Sequence, residues 1–193
     1  IDTTNYYDNN VAGAINLIRL SEAAGVKGFV FSSTCAVYGI PKKVPLEETE
    51  PFNPISPYGR TKAMVEGILS DMREFRKFPT TSLRYFNAAG SHWESGIGER
   101  HHPETHAIPL AIHAATGRRD GFKIFGTDYD TPDGTAIRDY VHVTDLADAH
   151  VRALCELLEG GSGDAYNLGT GVGSSVRELV DVINDVCDKP FEV

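Results

Sequence analysis

Tyr58 and Lys62 have the residue types and the spacing that proton-transfer chemistry needs. Four residues apart on a helix, two side chains lie on the same face. A free tyrosine has a pKa of about 10, so a tyrosine that acts as a base at neutral pH needs a pKa about three units lower, a change of roughly 4 kcal/mol. A nearby ammonium group favours that change. The spacing alone fits a chance pair on a helix as well as it fits a catalytic pair.

A hydroxyl group expected beside this pair strengthens the catalytic interpretation. The run 28–33 is short, apolar and without alternation, which predicts a buried strand of a parallel sheet. Thr34 follows this run, and ligands of open α/β sheets bind outside the carboxyl ends of the strands. The sequence therefore predicts that a hydroxyl group of Ser32, Ser33 or Thr34 lies in one cleft with Tyr58 and Lys62.

The elements that must position these residues alternate between strands and helices. Apolar residues at helical spacing predict helices, and short apolar runs predict buried strands. The predicted helices span 9–24, 58–75, a segment ending near 117, 144–158 and 174–186, and the predicted strands span 28–33, 80–86, 122–125, 139–143 and 165–168. This order is typical of an α/β fold, here a partial doubly wound parallel sheet with part of a smaller lobe.

Cap and loop residues mark several boundaries of these elements. Gly25 stands where a glycine ends a helix, Thr144 is the predicted N-cap of helix 144–158, and Ser174 or Ser175 is the predicted N-cap of the last helix. Residues 34–57 and 87–90 are predicted loops at strand ends, where function concentrates.

No glycine-rich loop of the G-x-x-G-x-x-G type occurs in the sequence, although a chain with this order of elements should open with one. We therefore expect the sequence to lack the start of its cofactor domain. Gly169, Gly171 and Gly173 could suggest such a loop near the other end. A tight turn followed by a helix cap is the simpler interpretation of these three glycines.

Composition argues against several classes of partner. The 193 residues carry a net charge of −9 without a long basic run, so the electrostatic footprint of nucleic-acid binding is absent. No run approaches the roughly 20 apolar residues that span a bilayer. Cys35, Cys155 and Cys187 form no CxxC pair, which suits a reducing compartment. We expect a cytoplasmic protein without nucleic-acid or membrane partners.

Three longer motifs carry a resemblance to a known family. They are residues 31–39 (FSSTCAVYG), 56–62 (SPYGRTK) and 83–87 (LRYFN). Through them the chain resembles the extended short-chain dehydrogenase/reductase family, whose fold is Rossmann-like. Within that family it is most similar to the nucleotide-sugar 4-epimerases that interconvert UDP-glucose and UDP-galactose, over essentially the whole chain.

The resemblance implies reversible 4-epimerisation of a UDP-hexose with tightly bound NAD. Tyr58 would take the proton of the sugar 4-hydroxyl, Thr34 would assist by hydrogen bonding, and Lys62 would tune Tyr58 and hold the nicotinamide ribose. Dehydratases and decarboxylases of the family carry acidic residues where this chain has Cys35 and Ala36, which favours epimerisation. The alternatives are a 4-epimerase for another UDP sugar (an N-acetylhexosamine, a uronate or a pentose) and a non-catalytic nucleotide-binding relative.

The resemblance also assigns binding residues. For the cofactor these are Asn9, Thr34, Tyr58, Lys62 and Phe86, and for the substrate Thr34, Tyr85, Asn87, Ile124, Phe125, Arg138 and Tyr140. Arg138 matches an arginine that binds the UDP diphosphate, and Ile124 with Phe125 matches the segment beside the uracil ring. The simpler alternatives are core positions for Phe86 and Phe125 and an ion pair of Arg138 with Asp139 or another surface carboxylate.

The segment 101–109 departs from the family pattern. His106 stands where well-known members have an asparagine that contacts the nucleotide. His101, His102, Glu104 and His106 suggest a metal site, but their spacing fits no standard zinc pattern and the implied chemistry needs no metal. We predict that the protein holds no metal.

The resemblance further implies a domain division and a homodimer. Residues 1–90 would form the second half of the NAD-binding domain. Residues 91–193 would belong mostly to the UDP-sugar lobe, with segments around 137–160 returning to the first domain. Helices 9–24 and 58–75 would form the dimer contact. We expect this chain alone not to retain NAD.

Overall fold

The computed structural model describes residues 2–187 and 191–193, which form two compact units. The first unit runs to Phe86 and includes Asp145–Gly169, and the second contains Asn87–Thr144 and the residues from Thr170 onward. The elements in chain order are α1 Thr3–Tyr6, a π-helical segment Tyr7–Ala12, α2 Gly13–Ala23, β1 Phe29–Thr34, α3 Pro57–Arg76, β2 Thr80–Tyr85, β3 Asn87–Ala89, α4 Ala107–Ala115, β4 Ile137–Arg138, β5 Tyr140–His142, α5 Val143–Leu158, β6 Ala165–Leu168, β7 Ser174–Ser175 and α6 Val176–Val186.

A parallel three-stranded sheet in the order β1-β2-β6 organises the first unit. Phe29 pairs with Thr80 at one end of the β1-β2 ladder, and Thr34 pairs with Tyr85 at the other. A core of Ile18, Val65, Leu69 and Phe78 joins α2, α3 and the sheet. The predicted α/β class with a parallel sheet is confirmed. Because parallel strands end on the same side, the carboxyl ends of β1 and β2 bring Thr34 and Tyr85 together.

The first helical region begins earlier than predicted and is not a regular helix. The sequence predicted one helix over 9–24, whereas α1, a π-helical segment and α2 follow one another from Thr3 to Ala23. The amide of Asn10 donates to the Thr61 hydroxyl at 2.9 Å, a contact from the π-helical segment to α3. Apolar periodicity cannot reveal such a contact. Gly25 has a φ of 68°, so its predicted place just after the helix end is confirmed.

Helix α3 has strong signals at both ends. The hydroxyl of Ser56 accepts the N–H of Gly59 at 3.1 Å, and Pro57 occupies the first turn, where its missing N–H costs nothing. At the other end Lys77 adopts a left-handed conformation with φ 55°. The predicted helix over 58–75 is confirmed within one residue at each end.

The second unit packs α4 against α6 around Phe122, with Ala111, Ala114, Val180 and Ile183. Helix α6 opens with a capping box, in which Ser175 and Glu178 each bond the other's backbone N–H. Ser175 is therefore the cap that the sequence left open between two serines. β3 and β5 pair in parallel, and β4 and β7 pair in antiparallel fashion.

Two predictions of local structure in the second unit are wrong. Residues 87–90 were predicted as a loop, but Asn87–Ala89 forms β3. Residues 122–125 were predicted as a strand, yet they belong to no strand, and the buried Phe122 contributes only to the helical core. A short apolar run cannot distinguish a strand from a core-forming loop.

Thr144 is not the N-cap of α5, which begins at Val143. The His142 ring instead accepts the backbone N–H of Thr144 at 3.3 Å, and its Nδ1 lies 2.6 Å from the Thr144 hydroxyl. Within the described ranges, no helix combines the length and the apolar character required to cross a bilayer.

Candidate active site

Thr34, Tyr58 and Lys62 come together at the carboxyl end of β1. Thr34 is the last residue of β1, and Tyr58 and Lys62 lie one turn apart at the start of α3. Gly59 permits this approach, because a Cβ atom at that position would stand 2.6 Å from the Ala36 carbonyl oxygen. The absence of a side chain at Gly59 therefore lets the start of α3 lie against the turn that follows Thr34.

The hydroxyl of Thr34 is oriented by its own backbone. Thr34 is 8 % exposed and caps the short turn Cys35–Val37, so its Oγ1 accepts the N–H of Ala36 at 3.2 Å. With a lone pair engaged in this way, the hydroxyl proton is available to Tyr58. A hydrogen bond between Thr34 and Tyr58 lowers the pKa of the phenol. The catalytic partnership of these two hydroxyls stays a prediction.

The pKa of Tyr58 nevertheless lies above its ordinary value. Burial of the phenol is the main cause, the bond with Thr34 opposes it, and the neighbouring Tyr85 and Tyr6 add to the rise. The sequence predicted a lowered pKa, caused by the Lys62 ammonium together with the positive charge of a bound nicotinamide. Burial of the phenol outweighs the bond with Thr34, and the ring centre of Tyr6 on α1 lies 6.4 Å from that of Tyr58. Tyr58 is still 38 % exposed, so a ligand can reach it.

Lys62 has a half-buried ammonium whose direct partner is backbone. Its Nζ donates to the Ser32 carbonyl at 2.9 Å and lies 4.8 Å from the Phe31 ring centre and 5.7 Å from that of Tyr58. Across the described ranges, no carboxylate oxygen stands within 4.0 Å of this nitrogen. Burial lowers the pKa of Lys62. An ammonium has three donors, so this one can also bind hydroxyl groups of a ligand.

The other predicted site residues of the first unit, Asn9, Tyr85 and Phe86, differ in what they contact. The Asn9 amide donates to Asn5 Oδ1 at 2.6 Å, and both asparagines line a cavity of about 160 Å³ together with Tyr6 and Asn10. Tyr85 lies beside Thr34 in the ladder. Phe86 is half-buried against the cluster of Cys35, Val37 and Tyr38, so the alternative of a core position for Phe86 agrees with its packing.

Two predicted substrate residues are neighbours in the second unit. Asn87 and Tyr140 are paired in the β3-β5 ladder. Burial raises the pKa of Tyr140, and the charge of Arg138 opposes that rise. Arg138 is exposed, and its guanidinium donates to the Ile137 carbonyl at 2.9 Å.

The simpler alternatives for Arg138 and Phe125 are wrong. The Asp139 carboxylate does not pair with Arg138 but accepts the backbone N–H groups of Thr170 and Gly171, at 3.0 Å each. No ion pair to Arg138 occurs among the described residues. The Phe125 side chain is 84 % exposed rather than part of a core, whereas Ile124 packs against the α4-α6 core. The turn at Thr170 and Gly171 matches the simpler interpretation of that glycine segment.

The cluster of His101, Glu104 and His106 places its potential ligand atoms within 4.8 Å of one another. Glu104 Oε1 accepts the N–H groups of Thr105 and His106, at 2.7 and 2.8 Å, just before α4 begins. These bonds lower the pKa of Glu104. The carboxylate therefore has a clear local role at the start of the helix, and the absence of a metal stays a prediction.

Sequence reasoning missed a buried ion pair between Glu66 and Arg84. Glu66 lies four residues after Lys62 on α3, and Arg84 lies in the buried strand β2. Two signals could have revealed the pair. An acidic residue falls on the same helix face as Tyr58 and Lys62, and an arginine is the one charged residue of the predicted strand 80–86, where a buried charge needs a partner.

Known proteins share this arrangement of sequence and fold. Residues 1–169 match the model of the NAD dependent epimerase/dehydratase family. The UDP-glucose 4-epimerase of Rhizobium leguminosarum bv. trifolii is 57 % identical over 192 residues, which cover 100 % of this chain and 59 % of that protein. The UDP-glucose 4-epimerase of Rhizobium meliloti (strain 1021) is 58 % identical, with 100 % and 58 % covered. The chain thus spans less than two thirds of the length of these curated relatives.

Solved structures agree with the sequence relatives. The crystal structure of UDP-glucose 4-epimerase from Brucella ovis in complex with NAD has a TM-score of 0.92 and 49 % identity, covering 95 % of this chain and 57 % of that one. The enzyme from Bifidobacterium longum in complex with NAD⁺ and UDP has a TM-score of 0.89 and 36 % identity, covering 97 % and 57 %. The family match over most of the chain, together with the Thr34–Tyr58–Lys62 group, shows that the chain belongs to the NAD dependent epimerase/dehydratase family.

Proposed function

We propose that the protein, at full length, interconverts UDP-galactose and UDP-glucose by reversible epimerisation at carbon 4 of the sugar, with NAD bound throughout. The observation that carries this proposal is the meeting of Thr34, Tyr58 and Lys62 at one strand end. It is supported by curated relatives at 57–58 % identity that are named UDP-glucose 4-epimerases.

The residues around Lys62 fit a nicotinamide cofactor. The ammonium is half-buried, bonds a carbonyl and has no carboxylate within 4.0 Å in the described part of the chain, so it retains donors for the hydroxyls of a ribose. Asn9, Thr34, Tyr58 and Phe86 are proposed as further contacts. When bound, NAD supplies an acceptor for hydride from carbon 4 and later returns that hydride, so it is not consumed.

Tyr58 moves the proton in this proposal. Its phenolate takes the proton of the sugar 4-hydroxyl as carbon 4 becomes a ketone, and the resulting phenol returns the proton after the sugar has turned its other face. The Thr34 hydroxyl stabilises the phenolate by donating to it. Because burial raises the pKa of Tyr58, its deprotonation requires positive charge in the completed site, and the Lys62 ammonium contributes part of that charge.

The residues after Thr34 argue against elimination chemistry. Elimination of water needs an acid or a base beside the neighbouring carbons of the sugar. This chain has Cys35, whose buried thiol donates to the Arg84 carbonyl at 3.3 Å, and Ala36, whose side chain cannot transfer a proton. Oxidation and reduction at a single carbon therefore fit this loop better than dehydration.

Except for Thr34 and Tyr85, the residues proposed to contact the substrate belong to the second unit. Arg138 has an exposed guanidinium without an acidic partner in the described ranges, which suits a diphosphate. The 84 % exposed ring of Phe125 offers a surface for stacking against a base. Ile124, Asn87 and Tyr140 are proposed as the remaining contacts.

The decisive experiment incubates the full-length protein with UDP-galactose, without added NAD, and follows the formation of UDP-glucose. Conversion by the unaltered protein, together with its loss in Tyr58→Phe, would support the proposal. Failure of the unaltered protein would move the test to UDP-N-acetylhexosamines, UDP-uronates and UDP-pentoses. A related protein of known structure, from Campylobacter jejuni, is named a UDP-Glc/GlcNAc 4-epimerase, which makes an N-acetylated sugar the first of these. Inactivity on all of them would favour a non-catalytic relative.

We also propose a homodimer in the cytoplasm, without a membrane or nucleic-acid partner. Leu17 and Leu20 on α2 are 56 % and 63 % exposed, and Met64 and Phe75 on α3 are 47 % and 71 % exposed, so both helices offer apolar surface. A monomeric mass of the full-length protein in light scattering would contradict the dimer. The cytoplasmic location rests on the composition and on cysteines without CxxC spacing.

A further inference from the structure

Glu66 and Arg84 form a buried ion pair that the proposed chemistry does not use. Their side chains are 5 % and 7 % exposed. Arg84 Nη2 lies 2.7 Å from Glu66 Oε2, and Arg84 Nε lies 3.0 and 3.1 Å from the two carboxylate oxygens. A buried pair of this kind is weak evidence for stability, because the cost of removing two charges from water offsets most of their attraction. The segments that the pair connects therefore say more about its role than its contribution to stability does.

The pair connects the pieces of chain that carry the reactive side chains. Glu66 follows Tyr58 and Lys62 at intervals of four residues, on the same side of α3. The Ser33 hydroxyl donates a short hydrogen bond to Glu66 Oε1, and Ser33 immediately precedes Thr34. Arg84 immediately precedes Tyr85 in β2. A movement of the pair would consequently shift Thr34 relative to Tyr58.

Further contacts join the pair to two more segments of the chain. Arg84 Nη1 donates to the Tyr38 hydroxyl at 2.7 Å and to the Glu48 carbonyl at 3.2 Å, and Tyr38 donates to Asn167 Oδ1 at 2.7 Å. The guanidinium carbon lies 4.7 Å from the ring centre of Phe52. The loop between β1 and α3 and the strand β6 are thereby tied to the same two charges.

We propose that the Glu66–Arg84 pair is a positioning device that, through Ser33, sets the separation between the Thr34 hydroxyl and the Tyr58 phenol. This inference rests on the proposed function, in which these two groups act on one proton. Both residues are positioning residues, because neither touches the reacting atoms. Misplacement of a catalytic group by about 1 Å can reduce a rate by about a hundredfold, so a modest shift would suffice.

The test needs variants that fold, because removing one partner leaves a buried unpaired charge. The double variant Glu66→Met/Arg84→Met replaces both charges by apolar side chains of comparable length. Ser33→Ala keeps the pair and removes only its bond to β1. Arg152→Ala, which breaks an exposed ion pair with Asp148 on α5, is the matched control. For each full-length variant we would measure kcat, KM for UDP-galactose and the melting temperature, and determine a crystal structure.

The positioning role predicts a specific combination of results. In the double variant and in Ser33→Ala, kcat falls about tenfold or more while KM stays within about threefold, and the crystal structures show the Thr34 and Tyr58 hydroxyls farther apart. An unchanged kcat in Ser33→Ala would overturn the proposal. A lower kcat together with a higher KM and a lower melting temperature in that variant would overturn it as well. If the double variant does not fold, Ser33→Ala alone decides.

Failure of the proposed function has a separate signature. If the unaltered protein converts no UDP sugar, the crystal structure of Ser33→Ala still measures the distance between Thr34 and Tyr58. A longer distance supports the positioning role, and an unchanged distance refutes it.

Discussion

Replacing Gly59 by alanine should disable the site while leaving the fold intact. Gly59 lies in the first turn of α3, directly after Tyr58, and a Cβ atom there would stand 2.6 Å from the Ala36 carbonyl oxygen and 3.1 Å from Pro54 Cβ. Real Cβ atoms do not approach a backbone oxygen that closely. The start of α3 or the turn after Thr34 must therefore move by about half an ångström.

The magnitude follows from two opposing effects. Overpacking of this kind costs about 1–3 kcal/mol, whereas replacing glycine by alanine within a helix gains about 0.5–1 kcal/mol. We expect Gly59→Ala to lower the free energy of unfolding by about 0–2.5 kcal/mol in total. Since the displaced segments carry Thr34 and Tyr58, the larger effect should fall on kcat, with a loss of about tenfold or more.

Gly67 provides the matched control on the same helix. A Cβ atom at Gly67 has no neighbour within 4 Å, so Gly67→Ala should stabilise the protein by about 0.5–1 kcal/mol and leave kcat unchanged. The assay is UDP-galactose conversion by the full-length variants, combined with urea unfolding. A Gly59→Ala protein with unaltered kcat and increased stability would show that the close approach to Ala36 has no part in placing Tyr58.

Three further outcomes can be checked with the same full-length protein. Thr34→Ala removes the bond that lowers the pKa of Tyr58, so that pKa should rise further. We expect kcat to fall about a hundredfold and the pH at which activity appears to move upward. An unshifted pH profile would contradict this. Prolonged treatment with EDTA should leave conversion unchanged, and a loss restored by Zn²⁺ would point to the cluster of His101, Glu104 and His106. Ser175→Ala removes the cap of α6 and should cost about 1 kcal/mol of stability in urea unfolding, with kcat unaffected.

Local patterns in the sequence were sufficient for much of the fold and for the center of the site. The Tyr58–Lys62 spacing and the run ending at Thr34 predicted which groups meet, because helical and strand periodicities are local properties. β1, α3, β2 and β6 were predicted for the same reason. In the second unit, the apolar run beginning at Phe122 was misassigned, since its burial depends on α4 and α6, which are distant in the sequence.

The electrostatics of the site could not be predicted, because they depend on contacts between distant segments. Burial of the phenol is the main cause of the raised pKa of Tyr58, and Tyr85 and Tyr6, which approach it from elements far apart in the sequence, add to the rise. The pairing of Glu66 with Arg84 likewise depends on how α3 lies against β2. A sequence shows which charges are present, whereas their burial follows only from packing.

The π-helical segment Tyr7–Ala12 holds one residue more than an α-helix of the same extent would hold. Deleting any one of its residues would allow a regular α-helix to run from α1 into α2. Because the wider turns absorb the extra residue, α1 and α2 would keep nearly the same facing after such a deletion. Side chains inside the segment would change their facing, so the contact of Asn10 with Thr61 would be lost. A single-residue deletion should therefore be tolerated better here than in the middle of α3, where it would turn the preceding residues by about 100°.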